Sequence, residues 1–135
     1  MKYQLKTDNF FLGCELQVFE SDIKYPSNTV MQISVSSSGF SGESSMDIDV
    51  KQFAVFSAEL LNIYDTLTGA ARIDEPYGEQ FIQFSGNGLG LIQVKGYLID
   101  NSANGCIQKL NFENEFDQTY LKDFSHMLYD AYYNY

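Results

Sequence analysis

The sequence predicts an α+β fold, an antiparallel sheet of about six strands packed against two amphipathic helices, in one domain spanning residues 1–135. Three observations point there. Apolar and polar residues alternate in six short runs. The apolar period lengthens to three and four residues in two stretches, about 51–68 and 117–133. Consecutive runs are joined by connections too short for helical crossovers, so neighbouring strands must be antiparallel.

Residues 10–19 place Cys14, Leu16 and Val18 on one side and Glu15 and Gln17 on the other, the pattern of a half-buried strand. Lys24-Tyr-Pro-Ser-Asn28 supplies turn chemistry, after which Met31, Ile33 and Val35 alternate with Gln32 and Ser34. Residues 36–42, rich in serine and glycine, turn the chain into a run where Met46, Ile48 and Val50 alternate with Asp47 and Asp49, completing a hairpin. On that strand the two aspartates share the outward face, about 7 Å apart.

The period then changes. Phe53, Phe56, Leu60, Ile63 and Leu67 form one stripe, with Ser57, Glu59, Asn62 and Asp65 between them. This helix is expected to end at Thr68-Gly69, the glycine taking the left-handed position. Runs at 80–85, 92–98 and 106–112 read as a three-stranded meander turned by Gly86-Asn-Gly-Leu-Gly90 and Asn101-Ser-Ala-Asn-Gly105. Asp117 is placed to cap a last helix in which Tyr120, Leu121, Phe124, Leu128, Ala131 and Tyr132 align.

Charge narrows the partners. Eight Lys and Arg stand against 18 Asp and Glu, a formal charge of −10. Such a surface repels phosphate and anionic lipid, which argues against nucleic acid and membranes, and it steers basic proteins toward it. The N-terminus carries no apolar core or cleavage site of a secretion signal, so a cytoplasmic chain is expected. Cys14 and Cys106 lack zinc-ligand spacing and read as reduced core fillers rather than a disulfide.

Reactive constellations are absent from the sequence. The loop at Gly86–Gly90 leads into a strand, not the helix N-terminus a phosphate loop needs. His126, the single histidine, has no nucleophile motif beside it and reads as a surface residue. Glu113, Glu115 and Asp117 precede the last helix, where negative charge suits its dipole. No enzyme, cofactor or metal is expected. The tyrosines of the C-terminal stretch, Tyr120, Tyr129, Tyr132, Tyr133 and Tyr135, cannot all face inward.

Taken together, Ser38-Gly-Phe-Ser-Gly42, the Asp49–Gly69 segment ending Leu67-Thr-Gly69, the Gly96-Tyr-Leu98 strand and Phe112-Glu-Asn-Glu-Phe-Asp-Gln-Thr-Tyr-Leu121 resemble the WapI-type immunity proteins, over about residues 10–130. The resemblance implies a cytoplasmic, non-enzymatic inhibitor that binds and neutralises the toxic domain of a cognate bacterial toxin, often a nuclease. The Asp-Gln-Thr-Tyr-Leu run itself reads as capping and packing.

A nuclease needs a basic cleft, and a carboxylate-rich protein can occupy it while an aromatic centre adds short-range affinity. The expected contact set is Glu43, Asp47 and Asp49 on the first hairpin, with Asp74, Glu75, Tyr77 and Glu79 in the loop after the first helix. Free of its partner, the chain is expected to be a monomer or weak homo-oligomer. The competing reading is an acidic structural or regulatory subunit of a larger assembly; a small-ligand domain ranks below both.

Overall fold

Alternation becomes strand wherever one face can be buried, and it does so more often than the sequence reading expects. The computed structural model describes residues 2–101 and 104–135. The chain runs β1 (Lys2–Lys6), β2 (Phe10–Val18), β3 (Thr29–Ser37), β4 (Phe40–Ile48) and α1 (Val50–Thr66), then β5 (Thr68–Asp74), β6 (Phe81–Asn87), β7 (Leu91–Asn101), β8 (Ile107–Asp117) and α2 (Leu121–Tyr132). The α+β class holds. The strands, eight among the described residues rather than six, form two antiparallel sheets, β1-β2-β3-β4 and β5-β6-β7-β8. Each half of the chain therefore follows one plan, a four-stranded meander and then a helix.

The two strands beyond expectation have different physical origins. β1 alternates cleanly, Tyr3 and Leu5 buried between exposed Lys2, Gln4 and Lys6, but it is only five residues long. β5 carries its inward face on Ala71 and Ile73 alone, because its other positions are small or polar. α1 also ends earlier than expected. Leu67 takes the left-handed conformation (φ 65°), its N–H donating to the Ile63 carbonyl, and β5 starts at the next residue. Gly69 is left-handed too (φ 97°), but inside the strand. The serine–glycine turn shrinks to Ser38-Gly39, since Ser37 pairs with Phe40.

The start of α1 is secured by two side chains, one from the residue just before it and one from the turn before β3. Asp49 accepts from the Lys51 N–H at 2.9 Å, and the Asn28 Oδ1 accepts from the Val50 N–H at 2.9 Å. Asn28 is buried, and its Nδ2 donates to Tyr25 O at 2.8 Å and Asp49 Oδ1 at 3.0 Å. Asp49 thus ends the strand instead of extending its outward face. At the other helix Asp117 accepts from the Thr119 N–H at 2.9 Å, capping a 3-10 turn, Gln118–Tyr120, that leads into α2. That bond holds the Asp117 carboxyl below its ordinary range.

Between the sheets and helices lies one aromatic core. Tyr3 on β1 meets Tyr132 on α2 (5.9 Å between ring centres), which meets Phe53 on α1 (5.1 Å). Phe53 and Phe56 lie 5.5 Å apart, and Phe56 reaches Phe84 on β6 at 6.1 Å. Phe84 contacts Phe116 on β8, and Phe116 stacks on Phe10 of β2, each at 6.3 Å. The run leaves the first sheet, crosses both helices and the second sheet, and returns. Tilted and edge-to-face rings contribute beyond the area they bury.

Phe84, fully buried, sits centrally in this run. Phe84→Ala should lower stability by about 3–5 kcal/mol in urea unfolding, whereas Val55→Ala, on the exposed face of α1, should shift it by less than about 0.5 kcal/mol. Because the folded-state pKa of Asp117 is depressed, its contribution is present above the ordinary carboxylate pKa and lost as pH falls through the depressed one. Thermal unfolding followed from pH 5 downward should therefore lose stability less steeply in Asp117→Asn than in the parent.

Candidate functional site

Among the described residues the sheets meet without a shared ladder, and side chains bridge the seam. Gln80, at the end of the β5–β6 loop, is buried, and its amide does the work of a peptide unit. Its Nε2 donates to Ser45 O on β4 at 2.9 Å, and its Oε1 accepts from the Ile99 N–H on β7 at 3.0 Å. The Ser44 hydroxyl reaches the Ile99 carbonyl at 2.6 Å and also lies against the Gln80 Oε1. Glu75 spans the same seam, one oxygen accepting from the Asp47 N–H at 3.1 Å and the other from the Gln80 N–H at 3.3 Å.

Above these bonds lies an open groove of about 490 Å³, bounded by β4, the 75–80 loop and the end of β7. Asp47, Glu75, Glu79 and Asp100 line it, with Tyr77 at its rim, and no lysine or arginine lines it among the described residues. Tyr77 is 81% exposed. A neighbouring groove of about 440 Å³ shares Ile99 and Asp100 and contains Glu43, Lys109 and Phe40, the last 72% exposed. Together they offer negative charge, hydrogen-bond acceptors and two presented rings along the seam.

The expected contact residues divide accordingly. Asp47, Glu75, Tyr77 and Glu79 come together on the first groove, and Glu43 lies in the second. Asp49 and Asp74 are engaged within the chain. Asp49 caps α1, and Asp74 pairs with Arg72 at 2.9 Å, whose guanidinium also lies 3.9 Å over the Phe81 ring. Asp74 ends β5 rather than lying in a loop after the helix. Asp100, Gln80, Ser44 and Phe40 were not anticipated. Asp100 and Phe40 could have been suspected from their places beside turns; the pairing of Gln80 with β4 and β7 has no local signal.

Elsewhere, chemistry is absorbed into structure. Burial pushes the Cys14 thiol up to about 12, a core position as expected, whereas Cys106 is exposed and fills no core. The exposed His126 has Nδ1 2.7 Å from the Lys122 carbonyl and sets its ring against Tyr64. The Gly86–Gly90 segment is a hairpin turn, its Asn87 Oδ1 accepting from the Leu89 and Leu91 N–H groups. Of the C-terminal tyrosines, Tyr132 is buried, and the hydroxyl of Tyr135 donates to Glu20 at 2.9 Å, which raises its pKa. Among the described residues no helix is long and apolar enough to cross a membrane, and no group of three or more metal-ligating side chains is gathered.

These features define an α+β protein with an acidic groove along the seam of two sheets. The chain belongs to the WapI-like immunity protein family: the model of that family matches residues 8–135. Membership indicates an immunity function against a toxin. No curated protein and no solved structure matches the chain.

The division of carboxylates can be tested by stability. Glu79→Gln and Asp47→Asn should each change unfolding free energy by less than about 0.5 kcal/mol, whereas Asp49→Ala should cost about 1–2 kcal/mol through loss of its cap. Urea titrations of the three variants provide the comparison.

Proposed function

We propose that this chain is a cytoplasmic immunity protein that binds the toxic C-terminal domain of a polymorphic, contact-dependent bacterial toxin and neutralises it by occupying a basic cleft. The toxic activity that best fits is a nuclease, since an enzyme that holds a phosphate backbone must line its cleft with cations. One observation carries the reading: a groove of about 490 Å³ lined by four carboxylates, without a lysine or arginine and with an 81% exposed tyrosine at its rim. Carboxylates of this kind compete with phosphate for the cleft, and the tyrosine adds a desolvated contact at small entropic cost. Occupancy alone inhibits, so no bond need be made or broken.

Asp47, Glu79 and Asp100 are the direct charged contacts in this reading, with Glu43 extending the surface along the seam. Their contribution falls mainly on the association rate, because long-range attraction acts before contact. Co-expression with the C-terminal domain of the toxin encoded beside this chain should restore growth and give a complex that co-purifies. In stopped-flow mixing, the combined Asp47→Asn, Glu79→Gln, Asp100→Asn variant should associate about tenfold more slowly at low salt and show a weaker salt dependence. Unchanged kinetics would reject the groove as the contact surface.

A further inference from the structure

The 75–80 loop closes around one of its own side chains. The Glu75 N–H donates to the Gln80 carbonyl at 3.1 Å, and the Gly78 N–H approaches the Glu75 carbonyl at 3.5 Å, so the backbone returns on itself. Inside this turn lies the Glu75 carboxylate, bound at one oxygen to the Gln80 N–H and at the other to the Asp47 N–H of β4. It fits there because residue 78 has no side chain. A Cβ on Gly78 would stand 2.4 Å from the Glu75 Oε1 and 3.0 Å from its Cδ. Gly78 is outside the left-handed region, so the glycine answers to this close approach and not to backbone conformation.

The two residues the loop presents, Tyr77 and Glu79, are exposed on either side of that glycine, while its base is pinned through Gln80 to both sheets. We propose that Glu75, seated under Gly78, is a positioning residue that holds Tyr77 and Glu79 in their docking arrangement before the partner arrives. This rests on the docking reading above and refines it: Glu75 is not a direct contact, since both its oxygens are taken up within the chain. The partner that fits is one offering a pocket for a phenol ring bordered by lysine or arginine. A preset loop removes the ordering cost of binding, whereas a loop that adopts the docking arrangement only a fraction of the time weakens affinity by that fraction.

Gly78→Ala isolates this role, because it retains every charge and both presented side chains. The obstacle to the methyl is the far end of a flexible side chain, so the fold should persist with the carboxylate displaced; circular dichroism and thermal unfolding check this. In the free variant, the amide protons of Asp47 and Gln80 should exchange faster than in the parent. Its affinity for the C-terminal domain of the toxin encoded beside this chain should fall about tenfold, as for a loop correctly arranged about one-tenth of the time, with the salt dependence unchanged. Adding Glu75→Ala to Gly78→Ala should cost little more, since both act through one carboxylate. Glu75→Gln, which keeps the shape but leaves one oxygen to accept, should show the same faster exchange and serves if Gly78→Ala fails to fold. If Gly78→Ala exchanges and binds as the parent does while Tyr77→Ala and Glu79→Gln bind weakly, the positioning role is wrong and the docking surface stands. If Tyr77→Ala and Glu79→Gln bind as the parent does, the docking surface itself is wrong and the positioning role falls with it.

Discussion

Among the described residues the two sheets share no main-chain ladder, so side chains set their relative placement. Most of that task falls to the ring-to-ring run from Tyr3 through Tyr132, Phe53, Phe56, Phe84 and Phe116 to Phe10. Packing of this kind is short-ranged and shape-dependent, which makes it a stiff joint once formed. It positions the helices as well as the sheets, because α1 supplies Phe53 and Phe56 and α2 supplies Tyr132. Polar bridges finish the seam at its edges: Gln80 with Ser44 and Ser45 at one end, and at the other Asn114, whose amide donates to Ser37 Oγ at 2.9 Å.

A seam of this sort has a consequence for the surface. Where β4 meets the end of β7, beside the bonds made by Ser44 and Gln80, the surface opens outward as the acidic groove. Its floor is the Gln80 amide network; Asp47 and Asp100 stand on β4 and β7, and Glu75 and Glu79 on a loop pinned to both sheets through Gln80. Preorganised charge is more effective than the same charge on mobile tails, because no ordering has to be done at contact. In the proposed function the net charge of −10 attracts a basic partner at long range, and the groove gathers Asp47, Glu75, Glu79 and Asp100 in one place.

The sequence was most legible where one periodicity ran long enough to be unambiguous. Both helices and the strands carrying Met31, Met46, Ile92 and Phe112 follow from spacing alone. β5 was missed because Ala71 and Ile73 are too few to mark a face, and β1 because it is too short for its alternation to stand out. The division into two sheets was illegible for a different reason: the aromatic contacts that set the sheets apart are long-range, and spacing reports only local ones. At the site, exposure of Asp47 could be anticipated from its alternation with Met46 and Ile48, and that of Tyr77 and Glu79 from their place in a loop. The cap made by Asp49 is a local bond to the Lys51 N–H, hidden in the sequence because the strand alternation runs on through Val50, whereas Glu75 as an internal acceptor has no local signal, since its partner, the Asp47 N–H, is brought near by the fold.

The proposed function has the chain meet its toxin at the seam between the sheets. It is tested most directly by mapping amide chemical-shift changes in the ¹⁵N-labelled chain as the toxin's C-terminal domain is added. Changes centred on residues 75–80, Asp47 and Asp100, spreading toward Glu43 and Phe40, are the expected result. Changes confined to the outer face of α2 or to the β6–β7 turn, with the seam unperturbed, would contradict it.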